Sequence, residues 1–337
     1  MDSKLSQEIR SGRIAPVYLF YGTETFLMEE ILQEIEKQVL VSENNRDWNC
    51  IVLDLDETPV QDLVREAETP SFFGEQRLVV GKNAWFLTTR GKEKQEHRPE
   101  ELLQYAKNPL EENVLILTVP AEKLDGRKKV VKELKKHVRE AVFPPLDSSA
   151  LKRWVTNRVK RTGVQADSQT VESLIRQTGP NLRLLDMEIS KLVTYVGSSG
   201  RITPDTVSEL VPRTLEQDVF KLVDRVARRK TGEAMAVYYD LLENREEPLR
   251  ILALIIRQFR MMLQVKVLAV QGMSEREMAS ALKVHPYPVK LALQQGKSHP
   301  EKTLRHLLYQ AIEADQAIKS GRIDKSLAVE RLILSVR

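Results

Sequence analysis

The sequence contains few of the residues that form disulfides, metal sites or membrane spans. It has a single cysteine, Cys50, so no disulfide or cysteine-based metal site can form within the chain. None of its five histidines is spaced from another in the way that metal ligands are. The most apolar stretch, Leu249–Val270, is interrupted by four basic residues, which argues against a membrane span. We therefore expect no metal, no cofactor and no contact with a membrane.

An export signal is also missing from the start of the sequence. The first ten residues carry mixed charge and no apolar core, so we expect a cytoplasmic location. The chain has 337 residues, 42% hydrophobic and 30% charged, which is typical of a globular protein with two or three domains. Its net charge of +4 hides a gradient, from −5 over residues 1–145 through +2 over 146–212 to +7 over 213–337. The C-terminal end is therefore the better candidate to meet a polyanion.

Segments typical of strands and helices alternate over residues 1–145. Short apolar runs predict the strands, and amphipathic stretches predict the helices. The strands are expected at Val17–Tyr21, Cys50–Leu55, Arg77–Gly81, Val114–Val119 and Ala141–Phe143, and the helices at Glu24–Leu40, Val60–Glu68, Glu100–Lys107 and Gly126–Arg139. Such alternation indicates a parallel sheet covered by helices. Pro144-Pro145 ends the pattern and marks the first domain boundary.

From about residue 147 onward the sequence shows helical periodicity and no convincing strand. Val211-Pro212 suggests a second boundary. The predicted fold class is α/β plus all-α, with an α/β domain over residues 1–145, a small helical domain over 146–212 and a helical domain over 213–337. The Leu249–Val270 helix is apolar nearly all round, so we expect it to be buried among other helices or subunits.

The turn after the first strand resembles a nucleotide-binding loop that lacks its functional groups. A strand, a glycine turn and a helix form the context of a P-loop, which needs several glycines, a lysine and a Ser/Thr. Here the turn reads Gly22, Thr23, Glu24 and Thr25, with one glycine and no lysine. A glutamate at a helix start suits the helix dipole but repels phosphate. We predict that this loop does not bind ATP; an ordinary βα turn explains the same residues.

Other catalytic patterns are absent as well. An ATPase needs an acidic residue at the end of a buried strand, and neither Leu78–Val80 nor Leu115–Leu117 is followed by one. The second strand does end in acids, Asp54 and Asp56, which we interpret as a strand that runs into a capped helix. The sequence has no dinucleotide fingerprint and no hydrolase or metalloprotease motif. Binding or scaffolding is therefore favoured over catalysis.

Two adjacent aromatic residues stand in a predicted turn. Phe72 and Phe73 follow Ser71, with Pro70 before them and Gly74 after them to break the regular structure. Neighbouring residues rarely point the same way, so both rings cannot easily enter one core face. An exposed aromatic pair is typical of an interface that a partner covers. The alternative is that both rings fold back under the sheet.

From end to end, the chain resembles a known family, the delta subunit of the bacterial DNA polymerase III clamp loader. The order and spacing of several segments carry the resemblance rather than one motif. These segments are Val17–Glu29, Thr69–Gly74, Asn181–Leu192, Pro248–Phe259, Asp315–Gly321 and Leu327–Leu332.

This resemblance implies an AAA+ type three-domain architecture, with a clamp-binding N-terminal domain, a helical lid and a helical collar for oligomerisation. It implies a non-catalytic subunit of the DNA-directed DNA polymerase holoenzyme that does not hydrolyse ATP itself. The expected partners are the sliding clamp (the beta subunit), the ATPase gamma/tau and delta-prime subunits in a hetero-oligomeric ring, and primer–template DNA through the assembled complex. The clamp-binding residues would be Ser71, Phe72 and Phe73. Some relatives have Leu-Phe at these positions, so Phe-Phe is a mild departure that leaves the hydrophobic role intact.

Two basic groups are candidate contacts for DNA phosphates. Lys128, Lys132, Lys135, Lys136 and Arg139 are predicted to share one helix face, and Arg225, Arg228 and Arg229 end another helix. Solvated helix faces explain the same residues, and contacts of this kind would be independent of base sequence and sensitive to salt.

Two rival functions stay open from the sequence. One is an active P-loop ATPase such as a helicase loader, which ATP turnover would reveal. The other is a DNA-binding scaffold that does not contact the clamp, which a pull-down against the clamp would separate from the first interpretation.

Overall fold

A computed structural model describes residues 3–40, 46–71, 76–89, 94–198 and 200–335 of the chain. These residues form two compact units, Met1–Pro145 and Leu146–Arg337. Within the described ranges, no helix is both long enough and apolar enough to cross a bilayer. The further division predicted at residue 212 stays a prediction.

The first unit is a five-stranded parallel sheet with covering helices. The strands lie in the order β2-β3-β4-β1-β5. Their bounds are β1 Val17–Gly22, β2 Cys50–Asp54, β3 Arg77–Lys82, β4 Asn113–Val119 and β5 Arg139–Phe143. The helices are α1 Ser3–Arg10, α2 Thr25–Val39, α3 Arg46–Asn49, α4 Val60–Glu68, α5 Pro99–Lys107 and α6 Lys129–Leu134, and a short 3₁₀ helix spans Trp85–Leu87. The predicted α/β architecture is confirmed.

Burial along the strands follows their place in the sheet. The central strands β1, β3 and β4 are apolar and almost fully buried, because helices cover both faces of a parallel sheet. The two edge strands each leave a valine partly exposed, Val52 at 49% and Val142 at 46%. Because β1 lies between β4 and the edge strand β5, the turn that follows β1 lies at the carboxyl ends of the strands, beside Phe143 of β5.

The predicted helix over Gly126–Arg139 is wrong in its bounds. Helix α6 spans only Lys129–Leu134, and β5 already begins at Arg139. The Arg139 guanidinium pairs with Glu8 of α1 at 2.9 Å, and its strand pairs with β1. Sheet pairing has therefore overridden the local helical pattern.

The second unit is almost entirely helical. Its helices are α7 Ser148–Arg161, α8 Ser168–Thr178, α9 Leu182–Val196, α10 Pro204–Leu210, α11 Leu215–Ala227, α12 Thr231–Glu243, α13 Pro248–Val270, α14 Glu275–Leu282, α15 Pro286–Gly296, α16 Glu301–Lys319 and α17 Lys325–Ser335. Two strands of two residues each, β6 Gln165–Ala166 and β7 Arg201–Ile202, pair in parallel. The expectation of no strand after residue 147 is therefore wrong for this small pair, which is too short to leave a periodic signal.

The long helix α13 forms the centre of this unit. Its residues Ile251, Ile255, Phe259 and Met262 are fully or almost fully buried, and they belong to one apolar cluster shared with α11, α12 and α14 to α17. The prediction that this helix is buried among other helices is confirmed.

Candidate functional site

The turn between β1 and α2 is fixed against the neighbouring strand. Gly22 has a φ of +141°, and a Cβ atom there would lie only 2.0 Å from the carbonyl oxygen of Phe143. The backbone N–H of Glu24 donates a hydrogen bond to that same oxygen at 3.1 Å. Only glycine therefore fits at the first position of this turn.

Glu24 stands immediately before the first turn of α2, where a P-loop presents N–H groups to phosphate. Its half-buried side chain makes no capping hydrogen bond. Burial raises the pKa of Glu24 to about 7, because the charged form loses solvation there. The structure thus places an acid, Glu24, in the turn formed by Gly22, Thr23, Glu24 and Thr25, where a P-loop binds phosphate. That the loop does not bind ATP remains a prediction.

The acids at the end of the second strand form hydrogen bonds with nearby groups of the same unit. The Asp54 carboxylate accepts from the backbone N–H of Asp56 at 2.9 Å and from the Asn83 side-chain amide at 3.0 and 3.1 Å. The strand is followed by helix α4, as expected. The side chain of Pro59, the residue before that helix, makes no capping hydrogen bond. Instead, the Val60 N–H donates to His97 Nδ1 at 3.1 Å. No local pattern predicts this cap, because the histidine lies 37 residues further along the chain.

The predicted clamp-binding residues lie between α4 and β3. Ser71 is half-buried, whereas Phe72 and Phe73 lie outside the residues that the structure describes. The interface role of this aromatic pair therefore stays a prediction, and the structure supplies the positions of the residues on either side.

The N-terminal side of this loop is tied to β4 by a buried amide. Asn113 is fully buried, and its Nδ2 donates to the carbonyl oxygens of Ala67 at 2.7 Å and of Thr69 at 2.9 Å. The Tyr105 hydroxyl also donates to the Ala67 oxygen, at 3.2 Å. The chain that leaves α4 is therefore held to the sheet two residues before Ser71.

The C-terminal side of the loop is tied down as well. The guanidinium of Arg77, which is 6% exposed, forms an ion pair with Glu66 of α4, and the Arg77 N–H donates to Glu112 O at 3.2 Å. Arg77 and Asn113 are functional candidates that the sequence analysis missed. The available signal was a polar residue at the start of two strands that are otherwise apolar.

The five basic residues of the first candidate DNA group do not share one helix face. Lys132 is exposed on α6, whereas the other four lie outside that helix and contact acceptors of the same unit. The contacts join Lys128 Nζ to Phe86 O at 2.6 Å, Lys135 to Glu140 at 2.9 Å, Lys136 to Glu133 at 2.7 Å and Arg139 to Glu8 at 2.9 Å. The predicted basic stripe is therefore wrong, because β5 takes up the end of the segment.

The second basic group does lie together at the end of α11. Arg225 pairs with Glu233 at 2.9 Å, and Arg228 pairs with Asp224 at 3.0 Å, so both charges are partly compensated. Arg229 is exposed and has a φ of +59°. Contact of these three residues with DNA stays a prediction.

Metal ligands do not gather in the part of the chain that is described. There, no three side chains of His, Cys, Asp or Glu lie close enough together to hold a metal ion. The candidate site residues described above instead form buried hydrogen bonds and carry surface charges.

Two family profiles match this chain. Residues 18–142 match the DNA polymerase III, delta subunit family, and residues 216–336 match the DNA polymerase III delta subunit, C-terminal domain. The first match covers the sheet and the second covers α11 to α17 almost completely.

Individual relatives extend the similarity over nearly the whole chain. The Bacillus subtilis (strain 168) protein DNA polymerase III subunit delta is 39% identical over 98% of this chain and 95% of its own length. A probable DNA polymerase III subunit delta from Aquifex aeolicus (strain VF5) is 24% identical over 71% of this chain and 67% of its own length. The solved structure of the Bacillus subtilis DNA clamp loader delta protein has a TM-score of 0.78 and 38% identity, covering 100% of this chain and 99% of that one. These matches and the observed elements confirm the fold class, α/β plus all-α.

Proposed function

This chain belongs to the DNA polymerase III delta subunit family, and from that membership we propose that it binds and opens the sliding clamp for loading onto primed DNA. It does so as a non-catalytic subunit of a hetero-oligomeric ring, beside ATPase gamma/tau subunits and a delta-prime subunit. Primer–template DNA meets the assembled complex rather than this chain alone. The observation that carries the proposal is similarity to a delta subunit over 98% of the chain, including the segment with the aromatic pair.

The proposed clamp contact is made by Phe72 and Phe73, with Ser71 beside them. Large apolar rings contribute most of the binding energy when they enter a pocket on a partner. The ties of Asn113 and Arg77 support this role, because they hold the described residues on both sides of Phe72 and Phe73. A binding segment whose flanking residues are held loses less conformational entropy when a partner binds it.

Clamp opening needs no chemistry in this chain. A subunit that binds the open ring more tightly than the closed ring shifts the equilibrium by its difference in affinity. ATP on neighbouring subunits would then govern when the aromatic pair reaches the clamp. The absence of ATP hydrolysis in this chain is supported by Glu24 at the start of α2 and by a turn that is fixed against Phe143.

The decisive experiment is a pull-down of the full chain with the sliding clamp. Replacing both rings, Phe72→Ala with Phe73→Ala, should reduce clamp affinity at least about a hundredfold, since each hot-spot ring contributes about 2 kcal/mol or more. The matched control removes two other aromatic rings, Tyr195→Ala with Tyr309→Ala, which are each 61% exposed and lie in the second unit. Undiminished clamp binding by the folded Phe72/Phe73 variant would refute the assignment.

The rival ATPase function makes a different prediction for the same protein. An active P-loop enzyme would turn over ATP as the isolated chain, and substitution at the first turn would abolish that turnover. A scaffold that binds DNA without the clamp would show no clamp in the pull-down at all. Turnover by the isolated chain would favour the ATPase, and we expect none.

A further inference from the structure

An exposed leucine lies beside the described ends of the loop that carries the proposed clamp contact. Leu110 is 40% exposed and lies in the turn between α5 and β4. This turn leads into β4, the α4–β3 loop leads into β3, and Arg77 of β3 pairs in register with Asn113 of β4. Because neighbouring strands lie about 5 Å apart, the turn and the described ends of the loop stand side by side at one edge of the sheet.

Hydrogen bonds hold the backbone around Leu110 in place. Its carbonyl oxygen accepts from the backbone N–H of Asn113 at 3.1 Å. The Tyr105 hydroxyl lies close to the Leu110 backbone and donates to Ala67 O, at the end of α4, at 3.2 Å. Asn113 Nδ2 donates to Thr69 O at 2.9 Å. Leu110 is therefore held next to the chain that leads into the α4–β3 loop, and an apolar side chain on a fixed backbone loses little entropy when a partner covers it.

Three exposed acidic residues accompany this leucine. Two follow it in the same turn and the third ends α4: Glu111, Glu112 and Glu68. Arg65 of α4 and Arg77 of β3 form ion pairs with other acids of α4. With the exposed Lys107 at the end of α5 counted, the area still carries a net negative charge. We call Leu110 and the three glutamates the Leu110 patch.

The apolar surface continues from Leu110 into an open groove of about 460 Å³ between α4 and α5. Val64 and Tyr105 contribute buried apolar side chains to its lining, and Glu68 borders it. An apolar centre with a charged rim is the usual composition of a protein–protein interface. The partner that matches this surface therefore presents apolar residues with basic residues around them, because complementary charges favour association.

We propose that the Leu110 patch is a second contact with the sliding clamp, in which Leu110 packs against apolar clamp surface and the three glutamates face basic clamp residues. This inference rests on the proposed function, because it takes the α4–β3 loop as the first contact. The hydrogen bonds of Tyr105 and Asn113 join the patch to the described N-terminal end of that loop, so a partner that reaches the loop also meets the patch. Leu110 adds to the affinity, and the carboxylates add mainly to the rate of association.

The first test measures the affinity of the full chain for the immobilised clamp by surface plasmon resonance. Leu110→Ser should weaken clamp binding at least about fivefold, since it removes an apolar contact at the interface. The matched control is Leu249→Ser, the same change at a leucine of α13 that is 37% exposed in the second unit. The control should remain within about twofold of the unmodified chain, and urea unfolding establishes that both variants are folded.

The second test removes charge and leaves the apolar contact in place. Glu111→Gln with Glu112→Gln should slow association with the clamp about threefold or more at low salt, and this difference should shrink as salt rises. The substitution keeps the backbone bond from the Arg77 N–H to Glu112 O, so the turn is not released. The matched control is Glu209→Gln with Glu243→Gln, which removes two exposed acids from the second unit and should leave the association rate unchanged.

The outcomes separate this inference from the proposed function. If the Leu110 variant and the charge variant bind the clamp as their controls do, while Phe72→Ala with Phe73→Ala abolishes binding, the patch is overturned and clamp binding by the aromatic pair stands. If the unmodified chain does not bind the clamp, both proposals fail. A Leu110→Ser variant that loses self-association in analytical ultracentrifugation but keeps its clamp affinity would assign the patch to a second copy of this chain and would also overturn the inference.

Discussion

Among the described glycines, Gly22 is the one at which an added Cβ atom would come closest to a neighbouring atom. Its φ of +141° is unfavourable for any other residue, and a Cβ atom would lie 2.0 Å from Phe143 O, a backbone atom that cannot swing away. We expect Gly22→Ala to lower the free energy of unfolding by more than about 3 kcal/mol, the sum of backbone strain and a steric clash. Urea denaturation followed by circular dichroism measures this change.

Gly12 provides the matched control for that substitution. It also has a positive φ, +76°, but open space surrounds the position of its missing Cβ atom. Gly12→Ala should therefore cost only the backbone strain, about 1–2 kcal/mol. Equal losses at the two glycines would show that the contact with β5 contributes nothing.

Glu24 makes the stability of the first unit depend on pH. Its pKa of about 7 in the folded protein lies above the ordinary value of 4.5, so the folded state holds the proton more tightly between these two values. Stability from this group is complete below about pH 4.5 and is lost as the pH rises through 7. Glu24→Gln removes this dependence, so at pH 8 it should be more stable than the unmodified chain by about 1–2 kcal/mol, allowing for partial exposure.

Thermal and urea unfolding at pH 5 and pH 8 test this expectation. The free-energy difference between the two proteins should be near zero at pH 5 and should favour Glu24→Gln at pH 8. A variant that is less stable than the unmodified chain at pH 8 would mean that the charged carboxylate has a stabilising partner at this turn.

At the scale of elements, Asn113 joins the end of α4 to the start of β4. Asn113→Ala leaves the Thr69 carbonyl without its donor, while the Ala67 carbonyl keeps the Tyr105 hydroxyl. We expect a loss of about 2 kcal/mol in unfolding free energy, together with clamp binding weakened by about threefold to tenfold through a loosened loop. The exposed residue Asn108 offers the control, since Asn108→Ala should change neither quantity by more than about 0.5 kcal/mol.

Contacts between residues that are distant in sequence explain why some elements are predicted from the sequence and others are not. The apolar strands β1, β3 and β4 were located to within one residue, because buried strands of a parallel sheet are continuous apolar runs. The basic segment around α6 was predicted wrongly, because Arg139 is held in β5 by Glu8, 131 residues away in sequence. The Asn113 contact with Thr69 spans 44 residues, and no local pattern encodes a contact of that kind.

The candidate site likewise has features that the sequence predicts and features that it does not. The glycine turn and its glutamate were predictable, because a P-loop is a local pattern whose missing residues can be counted. The ties of Asn113 and Arg77 were not predictable, because each joins separate elements and belongs to no motif. A sequence shows local patterns, whereas contacts between separate elements depend on packing.

At the scale of the whole molecule, the chain divides its charge and its roles between two units. Met1–Pro145 carries a net charge of −5 and holds the proposed clamp contact, and Leu146–Arg337 carries the remaining positive charge. Each unit has its own apolar core, one beneath the sheet and one around α13. A domain of about 150 residues buries roughly two thirds of its surface, which is enough for independent folding.

We therefore predict that residues 1–145 fold as an isolated fragment and still bind the sliding clamp, with an affinity within about tenfold of the full chain, since every proposed contact is retained. Residues 146–337 should instead fail to bind the clamp, because they lack the proposed clamp contact. Cooperative urea unfolding of the first fragment establishes that it is folded before the clamp pull-down is interpreted. A folded fragment 1–145 that fails to bind the clamp would locate essential clamp contacts in the helical unit.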